Sequence, residues 1–157
     1  MKSPDIGLKS NTKTAMIELC NARLADAIDL ALAVKQAHWN LKGPSFIGVH
    51  ELLDQVRDRL DNNADTVAER VAQLDGVALG TTQNVEDATR LSPYPTNIRK
   101  MEDHVGALVE RMAALSKSVR EAIDAADDAG DATTADVFTD FSRDLDKDLW
   151  FLKSHLE

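Results

Sequence analysis

Apolar residues along the chain keep stepping by three and four, and no stretch of useful length alternates, so the pattern predicts helices and no sheet. One stripe runs through Ile17, Cys20, Leu24, Ala27, Ala31, Val34 and His38, from about Thr12 to the Gly43-Pro44 break. A second, from about Ser45 to Leu74, carries Val49, Leu53, Val56, Leu60, Ala64, Val67, Val71 and Leu74. Past Asp75-Gly76, the breakers Gly80, Pro93 and Pro95 mark a long connection in which residues 84–90 fit a short helix. Helical spacing resumes at Ile98, behind Thr96 as N-cap, and continues through Met101, Val105, Leu108, Met112, Leu115, Val119 and Ile123. The last helix starts at Asp131, an N-cap behind Gly130, and carries Ala135, Phe138, Ser142, Leu145, Leu149, Leu152 and Leu156. A connection this long counts against most small folds, but a four-helix bundle with one crossover between its second and third helices requires it. The expected organisation is a flexible tail, residues 1–11, followed by a single all-α four-helix domain, residues 12–157.

Composition narrows the class. A chain of 157 residues with 43% apolar content makes one domain with a continuous core. Its 18 basic against 27 acidic residues leave a formal charge of −9, which repels nucleic acid and attracts cations, so any DNA contact has to come from a local basic tail. Cys20, the single cysteine, excludes an internal disulfide, agrees with a reducing compartment and reads as a small core residue. No segment offers the ~18 uninterrupted apolar residues of a membrane span, and MKSPDIGLKS lacks the apolar core of a signal peptide. The cytoplasm is the expected location, with no membrane partner.

Candidate chemistry lies on the flank of the second helix. His50 with Asp54 and Asp65 with Glu69 are each one helical turn apart and share a face, and His38 lies upstream on the core-facing row. Imidazole plus carboxylate suits iron, zinc or manganese. Asp54 and Asp65, however, are separated by about three turns, roughly 16 Å along the axis, which one metal cannot span. Each chain thus carries two half-sites, most simply closed by a two-fold partner whose helix runs antiparallel. His104 and His155 match no motif position and are read as surface residues.

The run AHWNLKGPSFIGVHELLDQVRDRLDNNADTVAERVAQLDG, Ala37 to Gly76, closely resembles the ferroxidase segment of the DNA-protection-during-starvation (Dps) family of mini-ferritins. VALGTTQ at Val77 to Gln83, SPYP at Ser92 to Pro95 and SRDLDKDLWFL at Ser142 to Leu152 are similar to that family too, so the resemblance covers nearly the whole chain. It implies a ferritin-like bundle whose crossover carries the short helix, assembled into a hollow dodecamer that oxidises ferrous iron with hydrogen peroxide, stores the ferric product as mineral and so protects DNA. Also implied is a pair of irons per inter-subunit site, with His38, His50 and Asp54 from one chain and Asp65 and Glu69 from its partner. Within that set Glu69 is expected as a direct or bridging carboxylate, Asp65 as its companion, His38 as a neutral nitrogen, and His50 with Asp54 on the second iron. Trp39 accepts stray oxidising equivalents on this reading, or packs at the dimer interface on the plainer one.

Two further expectations come from the resemblance. Acidic residues at the start of the last helix, here Asp131, Asp136 and Asp140, line three-fold pores through which ferrous ions enter; the plainer alternative is favourable placement of acids at a helix N-terminus. Members that bind DNA use a lysine-rich terminal tail, whereas this tail offers Lys2 and Lys9 against Asp5, with Lys13 at the helix start. DNA binding is therefore expected to be weak or absent, with nucleoid association and DNA condensation as the alternative role.

Overall fold

The computed structural model describes residues 4–157. Among them are α1 (Ser10–Asn40), α2 (Phe46–Gln73), α3 (Thr82–Ala88), α4 (Met101–Asp128) and α5 (Ala132–Lys153), and no strand. The tail residues 1–3, Lys2 included, lie outside this range. Helix α1 packs against α2 and α4, α5 against α4 and α2, and α3 against α1, which is the four-helix arrangement the apolar stripes require.

The short corner after Asn40 makes α1 and α2 an antiparallel hairpin. Gly43, at φ +156°, turns this corner, and its carbonyl accepts from Phe46 N–H at 3.1 Å. The crossover then carries the chain back along the bundle: Lys42 N–H donates to Arg99 O at 3.0 Å and Met101 N–H donates to Lys42 O at 2.9 Å. At the other end, the Thr12 hydroxyl donates to Ala129 O at 3.3 Å, where α4 turns into α5. Thus α4 starts beside the end of α1, α2 and α4 run the same way, and the one long crossover follows of necessity.

Several expected boundaries move for local reasons. Helix α4 begins at Met101, and Thr96 does not cap it, because Arg99 and Met101 are occupied by the bridge to Lys42. Helix α3 starts before residue 84 because Thr81 caps it, accepting from Asn84 N–H at 3.4 Å. It ends before residue 90 because Thr89 donates to Asp29 at 2.7 Å and Arg90 N–H donates to Asp26 at 2.8 Å, pinning the crossover onto α1. Helix α1 begins at Ser10, before Thr12, and Leu8 packs half-buried against the cluster of Met16, Leu74, Ala126 and Ala135. Leu156 lies past the end of α5 and is exposed. The expected cap at Asp131 is present, accepting from Thr134 N–H at 3.0 Å.

The core follows the stripes, from Leu24, Leu30 and Val34 through Leu53, Leu60, Leu108 and Met112 to Phe138, Phe141 and Leu145. Cys20 is fully enclosed; burial pushes its thiol up to about 12, against the pull of Arg70 and with a smaller push from Asp131. His104, expected at the surface, is buried at 1% exposure. It follows Met101 by three and precedes Leu108 by four, so it belongs to the core flank of α4.

Candidate metal centre

The α1–α2 corner brings the last turn of one helix against the first turn of the next, and so places His38 on His50. Their rings stack with centroids 3.6 Å apart and planes at 15°. Each Nδ1 meets the other residue's backbone carbonyl, His38 on His50 O at 2.8 Å and His50 on His38 O at 2.9 Å. A carbonyl only accepts, so both Nδ1 atoms carry a hydrogen, and in the neutral rings it is the Nε2 atoms that hold the lone pair for a ligand. Phe46 closes the far side of the pair, its ring centroid 5.0 Å from that of His50.

Asp54, one turn on, places Oδ1 3.6 Å from His38 Nε2. The same oxygen accepts from Lys35 Nζ at 2.5 Å. Lys35 is the first cause of a carboxyl pKa held below the ordinary value, with burial opposing and both imidazoles assisting. Lys35 carried no signal in a sequence pattern built from acids and imidazoles, yet it is the charge that occupies Asp54 here. Neighbouring Asp61 is taken by Arg57, whose Nε lies 2.9 and 2.8 Å from its two oxygens.

Asp65 and Glu69 sit further along α2, both exposed, and make no hydrogen bond or ion pair with any described residue. Asp65 borders a shallow groove of about 280 Å³, floored by Leu24, Ile28, Ala64 and Ala68 and closed by Ala78 and Gly80. Nowhere among the described residues do three His, Cys, Asp or Glu side chains gather closely enough to hold a metal ion. One chain therefore brings His38, His50 and Asp54 together and leaves Asp65 and Glu69 apart. Trp39 stands beside the first group at 69% exposure, and Ile47 at 61%, so the imidazole pair is bordered by large apolar side chains that the subunit itself leaves uncovered.

The acids at the start of α5 separate. Asp131 is buried, accepting from Arg70 Nη2 at 2.9 and 3.0 Å and from the Thr134 hydroxyl at 2.6 Å. Burial raises its pKa, but the bonds from Thr134 and Arg70 outweigh this and hold it below the ordinary value. Its carboxylate is thus engaged inside the subunit and is not available to line a channel with the other two. Asp136 and Asp140 are exposed, Asp140 accepting from Arg143 at 2.6 Å.

A four-helix bundle with one long crossover has the topology of the ferritin-like class, and the ferritin-like domain family matches residues 17–157. The chain is 58% identical over 150 residues to the DNA protection during starvation protein of Agrobacterium fabrum, spanning 96% of this chain and 93% of that one. DpsA14 from Streptomyces coelicolor superposes with a TM-score of 0.94 at 34% identity, covering 99% of this chain and 92% of that one. The Dps of Mycobacterium smegmatis gives 0.94 at 31% identity, with 100% and 95% covered. The chain belongs to the Dps family. No helix among the described residues is long and apolar enough to cross a membrane.

Proposed function

We propose that this protein detoxifies and stores iron, oxidising Fe(II) with hydrogen peroxide at di-iron sites shared between two-fold-related subunits of a hollow dodecamer. The observation that carries the reading is the split of the candidate ligands: two Nε2 lone pairs with Asp54 at one place, and Asp65 with Glu69, both unpaired, at another on the same helix. An antiparallel partner helix places the acids of one copy over the imidazoles of the other. Iron enters as substrate. A pair of ferrous ions each give one electron to a single peroxide, whose O–O bond breaks to two waters with uptake of two protons, so that no hydroxyl radical need be released. Few protein ligands per iron leave positions open for water and peroxide. Ferric product passes to the cavity as mineral, and removing iron and peroxide together protects DNA in the cytoplasm. Asp136 and Asp140 serve as the entry acids.

Ferrous iron and peroxide added to the apo-protein, with ferric absorbance followed in time, test the activity. Asp65→Ala with Glu69→Ala is expected to slow the reaction strongly; equal rates remove these ligands. Co-assembling that variant with His38→Ala/His50→Ala subunits tests the sharing. Each mixed pair then keeps one complete site, so activity returns; if every site lay within one chain the mixture would stay as slow as its parents.

A further inference from the structure

A second chemical group lies outside the metal centre, where the crossover meets α4. Tyr94, the only tyrosine in the chain, places its hydroxyl 2.7 Å from His104 Nδ1 and only a distant 3.5 Å from His104 O. The shorter contact takes the phenolic hydrogen, so Nδ1 accepts and the ring hydrogen sits on Nε2. His104 Nε2 is buried and makes no hydrogen bond of normal geometry, although the Ile98 backbone and Asp103 act electrostatically to favour a charged ring against the burial that lowers its pKa. Arg111 holds the phenol in place from above, its guanidinium carbon 5.3 Å from the ring centroid, while donating to the carbonyls of Ser92 and Pro93. The phenol is half-buried, leaving it within reach of a small oxidant.

From this hydrogen-bonded pair we infer that Tyr94 is a one-electron redox residue that gives its electron to an escaping oxidant while its phenolic proton passes to His104 Nδ1. The source of oxidant rests on the iron and peroxide reading: a ferrous ion that meets peroxide alone yields hydroxide and a hydroxyl radical. Tyr94 reduces that radical to hydroxide, its O–H bond breaking as the proton moves to His104, and leaves a neutral phenoxyl beside an imidazolium. One electron from a further ferrous ion, with return of the proton from His104, restores both residues. Without a base at 2.7 Å the oxidised phenol would have to lose its proton to solvent or remain a radical cation beneath the Arg111 charge, both unfavourable. Burial raises the Tyr94 pKa, so the phenol enters the reaction protonated.

Electron paramagnetic resonance of the assembled protein tests the pair in two arms, one with azide radicals generated without iron and one with ferrous iron and peroxide. Both are expected to give a tyrosyl signal with an exchangeable proton coupling, lost in Tyr94→Phe. In His104→Gln, which keeps an acceptor but no base, the yield is expected to fall about tenfold or more, with circular dichroism confirming the fold. No tyrosyl signal with azide radicals, or equal yields in parent and His104→Gln, overturns the proposal. A signal with azide but none with iron and peroxide overturns the supply of oxidant from iron, while the ferric-absorbance assay stands separately.

Discussion

Lys35 is the residue whose charge bears most directly on the first half-site. Its ammonium holds the oxygen of Asp54 that also faces His38, so on the function proposed above a ferrous ion binding there would compete with it for the carboxylate. Exposed ion pairs of this kind contribute roughly 0.2–1 kcal/mol, equivalent to less than about a fivefold change in an equilibrium constant. Anaerobic titration of Lys35→Met with ferrous iron should therefore show apparent affinity raised by about two- to fivefold, and an unchanged value would show that Lys35 swings clear at no cost. Asp131 has the opposite character, fully enclosed with Arg70. Removing one partner of such a pair costs about 3–5 kcal/mol, so Asp131→Asn should lower the melting temperature markedly. Because the folded pKa of Asp131 lies below its unfolded value, its contribution is complete above the ordinary carboxylate range and is lost as pH falls from that range through the lower folded value. The parent's melting temperature should then drop below about pH 4, a step that Asp131→Asn flattens. Buried Asp148, whose pKa burial raises despite Arg59, contributes with the opposite sign and partly masks that step. At this scale the sequence was legible where chemistry and spacing coincide, as at His38 and His50. It misled at His104 and Asp131, whose partners Tyr94 and Arg70 come from distant parts of the chain.

At the level of elements, period and punctuation placed all four long helices. The residues that fix their ends were less readable, because they bond across the fold. The Lys42 bridge delays α4, and Asp26 and Asp29 halt the crossover helix at Thr89; neither is a local signal. Asp75-Gly76 is the turn where local and distant demands meet. Asp75 takes φ +69°, a conformation that short polar side chains tolerate, and pairs with Lys13 at 2.9 Å. A Cβ on Gly76 would stand 2.9 Å from Ile17 Cγ1 and Cγ2 and from Val71 Cγ1. Both neighbours are β-branched and stiff, so they cannot swing aside. Gly76→Ala is expected to destabilise by about 1–3 kcal/mol, read as a lower midpoint in denaturant; a variant as stable as the parent would mean that the end of α2 shifts freely.

For the whole molecule, the chain's net charge of −9 and the few cations of its tail weigh against tight binding of DNA. Lys13 is paired with Asp75 and the Asp5 carboxylate is turned back to Gly7 N–H at 2.8 Å, which leaves Lys9 as the lysine among described tail residues without such a partner. Repetition over an assembly can still raise avidity, but each contact is weak and salt-sensitive. A gel shift at low salt and neutral pH should show little or no retention of DNA, and tight, salt-sensitive retention would favour the condensing role instead. That the candidate ligands fall into two groups on one helix could be seen in the sequence from helix geometry alone, since about 1.5 Å of rise per residue fixes how far apart Asp54 and Asp65 must be. The apolar surface beside the first group was only partly readable, through Trp39. Ile47 carried no signal of its own in the sequence, and its exposure beside Trp39 emerges only in the folded subunit. The one sulfhydryl sits at the opposite extreme, shut in at 0% exposure with its ionisation pushed to about 12. The fold thus keeps its one thiol where an external oxidant does not reach it, and alkylating reagents would register only those copies whose helices have come apart.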